Sequence, residues 1–175
     1  MITLILGGAR SGKSALAERL AARLPEPVTY IATGVVADDD MAARVASHQA
    51  RRPSSWRTLE AGLDLVDAVA AVEGSVLLDS LGSWVAAAPA FAVDLAALGC
   101  VLQLRRGDTV IVSEEVGLGV HPASEAGRRF RDALGEVNQA MATIADDVLL
   151  VVAGRVLRLD EVDAVGQRGQ LGDGK

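Results

Sequence analysis

The run that most constrains this chain is Gly7-Gly8-Ala9-Arg10-Ser11-Gly12-Lys13-Ser14, lodged between an apolar stretch and an amphipathic one. Met1 to Leu6 reads as a strand. Beyond the glycines, Leu16, Leu20 and Leu24 recur every four residues with Ala17 and Ala21 beside them, the apolar stripe of a helix. The run fits G-x-x-x-x-G-K-[ST] in full. Its glycines let the backbone curl until successive N–H groups face one phosphate, and the helix that follows adds its positive end. The strand before it and the helix after it are the context that gives the pattern meaning. A nucleoside triphosphate is the expected ligand, with Lys13 reaching the β and γ phosphates and Ser14 holding Mg²⁺. Lys13 and Lys175 are the only lysines of a chain otherwise built with Arg, so Lys13 marks a place for a compact ammonium group.

The remaining pattern extends this strand–loop–helix unit. Pro25 and Pro27 end the first helix, and Val28 to Ala32 reads as a second strand. Asp38 to Arg52 has helical spacing and stops at Pro53. Val76 to Leu78 predicts a third strand ending at Asp79, and Thr109 to Val112 a fourth ending at Ser113-Glu114-Glu115. Ser124 to about Ala145 predicts a long helix with Phe130, Leu134, Val137 and Met141 inward, and Val148 to Ala153 a last strand closed by Gly154. Strands that are continuously apolar and separated by helices indicate a mostly parallel α/β sheet covered on both faces. Ligands of such sheets bind at the carboxyl ends of the strands, which puts Gly7 to Ser14, Asp79 and Ser113 to Glu115 along one rim. The chain of 175 residues fits one domain, expected over residues 1–160. Residues 161–175, rich in Gly and polar groups from Gly166 onward, predict a disordered tail.

Composition narrows the class of partner. Aromatics are 3% of the chain while half of it is hydrophobic, so the core must come from Ala, Val, Leu and Ile. A formal charge of −6 argues against nucleic acid as a partner, which needs a basic face. Cys100 stands alone, which excludes an internal disulfide or a Cys-based metal site and predicts a core-filling thiol. No apolar run approaches the roughly 18 residues of a membrane span, and the first strand begins near Met1. A cytoplasmic protein is the expectation.

Two further groups carry candidate chemistry. Asp79 is the first choice for the acidic residue beside Mg²⁺, although capping the next helix is an alternative role for it; Glu114 and Glu115 come next. In a helix, Arg44, His48, Arg51 and Arg52 would share one face. Flanking cations favour the neutral imidazole, which is a nucleophile. Spacing alone is also met by a solvated, charged helix face. His121 before Pro122 reads as structural, Trp56 and Trp84 as packing groups, and Arg128, Arg129 and Arg131 as either phosphate contacts or a solvated face.

These residues form an ordered set with Tyr30-Ile31-Ala32-Thr33-Gly34, the Asp38–Val45 segment, and His48 with Arg52, Pro53 and Trp56. It continues through Glu60, Leu78-Asp79, Glu115 to Gly119, Arg129 to Asp132, Asn138-Gln139 and Val151 to Gly154. The set resembles the bifunctional adenosylcobinamide kinase / adenosylcobinamide-phosphate guanylyltransferase family of cobalamin biosynthesis, from Met1 to about Leu159. The resemblance implies a single-domain α/β fold of the RecA-like P-loop kind. It implies two reactions at one site: phosphorylation of adenosylcobinamide by ATP or GTP, then transfer of GMP from GTP through a histidine to the cobinamide phosphate. His48 matches the guanylylated histidine, with Lys13 beside it in catalysis. The implied nucleotide contacts are Gly7, Gly8, Ala9, Arg10, Ser11, Gly12, Lys13, Ser14, Ala32, Thr33, Gly34, Gln49, Ala50, Arg51, Arg52, Glu60 and Asp79, with Ser14 and Asp79 on Mg²⁺. A homo-oligomer, a trimer, is also implied.

The chain departs from the family pattern in places. Members usually carry Asn where this chain has Glu114 and a hydrophobic residue at His121, and the segment between Asp79 and Thr109 is short. These bear on how the corrinoid is seated and which nucleotide serves the kinase step. A kinase with His48 idle, and a non-catalytic nucleotide sensor, are the competing readings.

Overall fold

The computed structural model describes residues 1–34 and 52–160. One seven-stranded sheet organises them, in the order β3-β2-β4-β5-β1-β6-β7. The strands are β1 (Ile2–Gly7), β2 (Val28–Ala32), β3 (Arg57–Glu60), β4 (Ser75–Asp79), β5 (Thr109–Glu114), β6 (Asp147–Val152) and β7 (Arg155–Leu159). All neighbours pair parallel except β6 and β7, which form an antiparallel hairpin. The helices are α1 (Lys13–Ala21), α2 (Leu65–Ala71), α3 (Leu81–Ala87), α4 (Leu95–Leu104) and α5 (Glu125–Ile144), with a 3₁₀ turn at Pro89–Phe91.

The two faces of the sheet follow from strand alternation, because successive side chains point to opposite sides. Leu4, Ile31, Val76, Leu78 and Ile111 join one buried cluster with Leu65, Val85, Leu98, Leu134 and Met141 of α2 to α5. Their neighbours Ile5, Tyr30, Leu77, Val110 and Val112 pack on the other face against Ala17 and Ala21 of α1, with Leu16, Leu20 and Leu24 alongside. Burying each large aliphatic side chain is worth about 1.5–3 kcal/mol. The continuous apolar strands read from the sequence are therefore strands with two covered faces.

Each strand in the sequence reading has its counterpart, but two strands escaped it. The four residues of β3 are all exposed on the sheet edge, and β7 is an exposed antiparallel edge whose apolar residues are interrupted by Arg155 and Arg158. Neither shows the apolar run that marks a buried strand. Helices α2, α3 and α4 are short or Ala-rich and have no full amphipathic period. Cys100 corrects an expectation: its thiol is exposed. On α4, Leu98 and Leu102 are buried and Cys100 falls between them on the opposite side of the turn. Phe130 is partly buried against the core and meets Phe91 edge-on, ring centroids 5.6 Å apart. The helix expected at Asp38–Arg52 lies outside the described residues up to Ala50 and Arg51, as does the tail at 161–175.

The amino-terminal edge of the sheet, away from the site, is clamped by Arg105. Its guanidinium donates to the carbonyls of Val72 at 3.1 Å, Gly74 at 2.9 Å and Asp108 at 3.4 Å, and to Thr109 Oγ1 at 2.8 Å.

Candidate nucleotide site

The parallel registers assemble the site. Ala32 is level with both Glu60 and Asp79, and Gly7 is level with Glu114. The carboxyl ends of β3, β2, β4, β5 and β1 thus follow one another along one rim, with β1 delivering the glycine loop beside β5. Gly12 takes φ 97°, a left-handed conformation that costs a non-glycine residue energy. That twist turns the chain directly into α1, and no side chain caps the helix among the described residues. Its first N–H groups are thereby left for an anion. The β6–β7 turn braces the loop from beside, Gly154 N donating to the Ser11 carbonyl at 2.9 Å.

Lys13 is the first residue of α1, and its side chain is 11% exposed. Its Nζ lies 3.5 Å from the Gly8 carbonyl and 3.4 Å from Glu114 Oε1. The ammonium therefore lies folded along its own loop and is neutralised by a neighbouring strand end. Glu114 is held in turn: its Oε2 accepts from Ser80 Oγ at 2.9 Å, and its carbonyl accepts from Asn138 Nδ2 at 3.0 Å. Asn138 Oδ1 accepts from the buried Ser113 hydroxyl at 2.6 Å. Gly82 leaves room for the carboxylate, because a Cβ there would sit 2.0 Å from Glu114 Oε2.

Asp79 closes β4, two strands from β1. Its Oδ2 accepts from the Tyr30 hydroxyl at 3.2 Å, and the Arg52 guanidinium lies over the Tyr30 ring, 3.2 Å from the centroid. Burial, then the nearby Asp79 carboxylate, pushes the Tyr30 phenol well above its ordinary range. Thr33 locks this corner: its hydroxyl accepts from Ser80 N at 3.0 Å and donates to the Ser80 carbonyl. The alternative role considered for Asp79 falls to its neighbour, because Ser80 caps α3 by accepting from Ser83 N.

Residues 3–159 match the family model described as cobinamide kinase / cobinamide phosphate guanyltransferase. The chain belongs to that family. It is accordingly a bifunctional cobinamide kinase and cobinamide-phosphate guanylyltransferase of adenosylcobalamin biosynthesis. It is similar to the bifunctional adenosylcobalamin biosynthesis protein CobP of Pseudomonas aeruginosa, 43% identical with 88% of this chain and 94% of that protein covered. The corresponding CobU of Salmonella typhimurium is 40% identical, with 88% of this chain and 97% of that protein covered. Among solved structures, a type III secretion ATPase superposes with a TM-score of 0.55 at 12% identity, covering 95% of this chain and 53% of that one. That likeness concerns the fold alone, a P-loop α/β sheet.

The cobinamide kinase fold brings Gly7 to Ser14, Ala32 to Gly34, Glu60 and Asp79 to one rim, and Arg52 onto β2 beside it. His48, Gln49, Ala50 and Arg51 lie outside the described residues. Glu115 accepts from Gly117 N at 2.6 Å, and so pins its own turn. His121 Nδ1 pairs with Arg131 at 2.9 Å, while Arg128 donates to the carbonyls of Pro122 and Ala123. Both are turn-bracing roles. Trp84 is buried in the core on one face of the sheet, and Trp56 packs against the cluster on the other. Tyr30, Thr33 as a lock on Ser80, and Asn138 were not singled out for these roles by the sequence. Tyr30 stood within an apolar strand, where nothing distinguishes a core aromatic from one that orients a carboxylate.

Proposed function

We propose that the two reactions share the rim described above and that His48 carries GMP between them. The observation that supports this is Lys13: a buried-stemmed ammonium at the start of an uncapped helix, on the same rim as the Asp79 carboxylate. The triphosphate would lie in the loop from Gly7 to Ser14, with Ala32 to Gly34, Gln49 to Arg52 and Glu60 as its further contacts. Binding moves Lys13 from Glu114 to the phosphates.

Ser14 and Asp79 would hold Mg²⁺, and the donor set fits that ion. Among the described residues no three acidic, His or Cys side chains gather into a cage. One hydroxyl and one carboxylate suit a hard cation that keeps its waters and takes phosphate oxygens. When bound, the cation supplies charge neutralisation at the phosphates. The chain's own groups do the rest: the loop amides and Lys13 orient the triphosphate, and the guanidiniums of Arg51 and Arg52 offset charge on its oxygens.

In the kinase reaction the cobinamide hydroxyl attacks the γ-phosphorus and a nucleoside diphosphate leaves. In the second, the His48 imidazole attacks the α-phosphorus of GTP, an N–P bond forms, and pyrophosphate departs. An oxygen of cobinamide phosphate then attacks that phosphorus, breaks the N–P bond, and gives adenosylcobinamide-GDP. A covalent histidine splits a transfer between two bulky anions into two steps, each with one substrate poised. The family resemblance also supports a homotrimer, and no described helix is long and apolar enough to cross a membrane.

The test is intact mass after exposure to GTP and Mg²⁺. One added GMP is expected, acid-labile and alkali-stable, and it should be absent from His48→Ala while GTP binding persists. An adduct that survives in His48→Ala places the nucleophile elsewhere.

A further inference from the structure

The rim holds a carboxylate to which the two-reaction scheme gives no task. Glu114 ends β5 beside the first glycine of the loop, level with Gly7. Its Oε1 lies 3.4 Å from Lys13 Nζ, and its side chain is 29% exposed, open enough to meet a substrate. Its Oε2 is fixed by the Ser80 hydroxyl, its backbone by Asn138, and the missing side chain of Gly82 makes its space. The start of α3 therefore holds the carboxylate, and α5 its backbone, next to the ammonium group that meets the β and γ phosphates. Asp79, in contrast, lies a strand further away and is engaged by Tyr30.

We propose that in this chain, which has a carboxylate where the family usually carries Asn, Glu114 is the proton acceptor of the phosphoryl-transfer reaction and serves only that reaction. The inference rests on the two-reaction reading, and the chemistry separates the two. An attacking alcohol carries a proton. As its oxygen bonds to the γ-phosphorus, the bond from that phosphorus to the β–γ bridging oxygen breaks and the diphosphate leaves with that electron pair. The hydroxyl proton passes to the Glu114 carboxylate and then to solvent. The neutral imidazole of His48 and the oxygen of cobinamide phosphate each attack through a lone pair that is already free. GMP transfer has no proton for Glu114 to take.

The Lys13 pair also fits this role. Before nucleotide binds, the ammonium and the carboxylate satisfy each other. When the phosphates draw Lys13 away, Glu114 is released at the γ end of the triphosphate, where the alcohol must arrive.

The experiment compares two rates within one preparation of Glu114→Gln: phosphoryl transfer to cobinamide, and the single-turnover release of pyrophosphate from GTP. The second rate shows that the variant is folded and binds nucleotide. The ratio of transfer to pyrophosphate release should fall at least about 100-fold from wild type, and Glu114→Asp should recover at least about tenfold of the loss. A ratio within about threefold of wild type overturns the proposal. That includes the case in which both rates fall together, since Glu114 would then serve the nucleotide or its cation. Should wild-type enzyme phosphorylate cobinamide yet release no pyrophosphate, the two-reaction reading fails instead. Transfer at saturating nucleotide in Gln and Asp variants would then still decide Glu114: a Gln loss under threefold overturns it.

Discussion

Tyr30 links the two halves of the site, and its removal has a calculable cost. The phenol is 6% exposed, donates to Asp79 at 3.2 Å and lies under Arg52. Tyr30→Phe takes away the donor and leaves the ring. The loss of one hydrogen bond to a carboxylate is worth about 1–2 kcal/mol. Tyr30→Leu removes the ring as well. Among the described residues the Arg52 Nε is buried with no hydrogen-bond partner, and the guanidinium's attraction to the ring is worth about 1–2 kcal/mol when desolvated. Lost packing adds about another 1–2 kcal/mol, for a total of about 3–6 kcal/mol. At about 3 °C per kcal/mol for a domain of this length, Tm should fall by about 3–6 °C for Phe and about 9–18 °C for Leu. Thermal and urea unfolding measure this, and a double-mutant cycle of Tyr30→Leu with Arg52→Met isolates the stack. A coupling of about 1–2 kcal/mol is expected. Because Arg52 is a proposed GTP contact, Tyr30→Leu should also weaken Mg·GTP binding about five- to thirtyfold, and Tyr30→Phe far less. A coupling under about 0.5 kcal/mol, or equal losses of GTP affinity in both variants, would refute the argument that the ring holds Arg52 at the rim.

Two further expectations concern stability. Arg105→Met removes four hydrogen bonds that tie the loops at the far edge of the sheet; unfolding free energy should fall by about 2–4 kcal/mol with GTP affinity unchanged, and a loss under about 0.5 kcal/mol in urea titration would refute the clamp. The alkaline limb of stability should belong to Tyr30, the chain's single tyrosine. Its phenol pKa is raised from 10.0 by burial and then by Asp79, so the folded state keeps a proton that the unfolded state loses. The stabilisation is complete below pH 10 and declines above it, by at most about 1.4 kcal/mol per pH unit. In metal-free enzyme, wild type should lose stability above pH 10 more steeply than Tyr30→Phe, with tyrosinate absorbance rising only as the chain unfolds; parallel slopes would show the phenol to be ordinary.

Local chemistry determined a good deal unaided. The strand, the glycine loop with its lysine, and the helix after it were legible because that unit is set by contiguous residues: an apolar run, glycines free to turn, and an apolar stripe every four residues. The central strands were legible because a strand covered on both faces must be apolar throughout, and Asp79 was legible because it ends one of them. Edge strands β3 and β7 were not, since an exposed strand is held by its neighbour's hydrogen bonds and leaves little mark in residue type. Cys100 was misplaced because burial on a short helix depends on which side meets the sheet. The network of Lys13, Glu114, Ser80, Asn138 and Gly82 spans residues that are far apart in the chain, and it exists only because parallel registers bring their strand ends level. A sequence records which groups are available, and pairing across a sheet decides which of them share a proton or a charge.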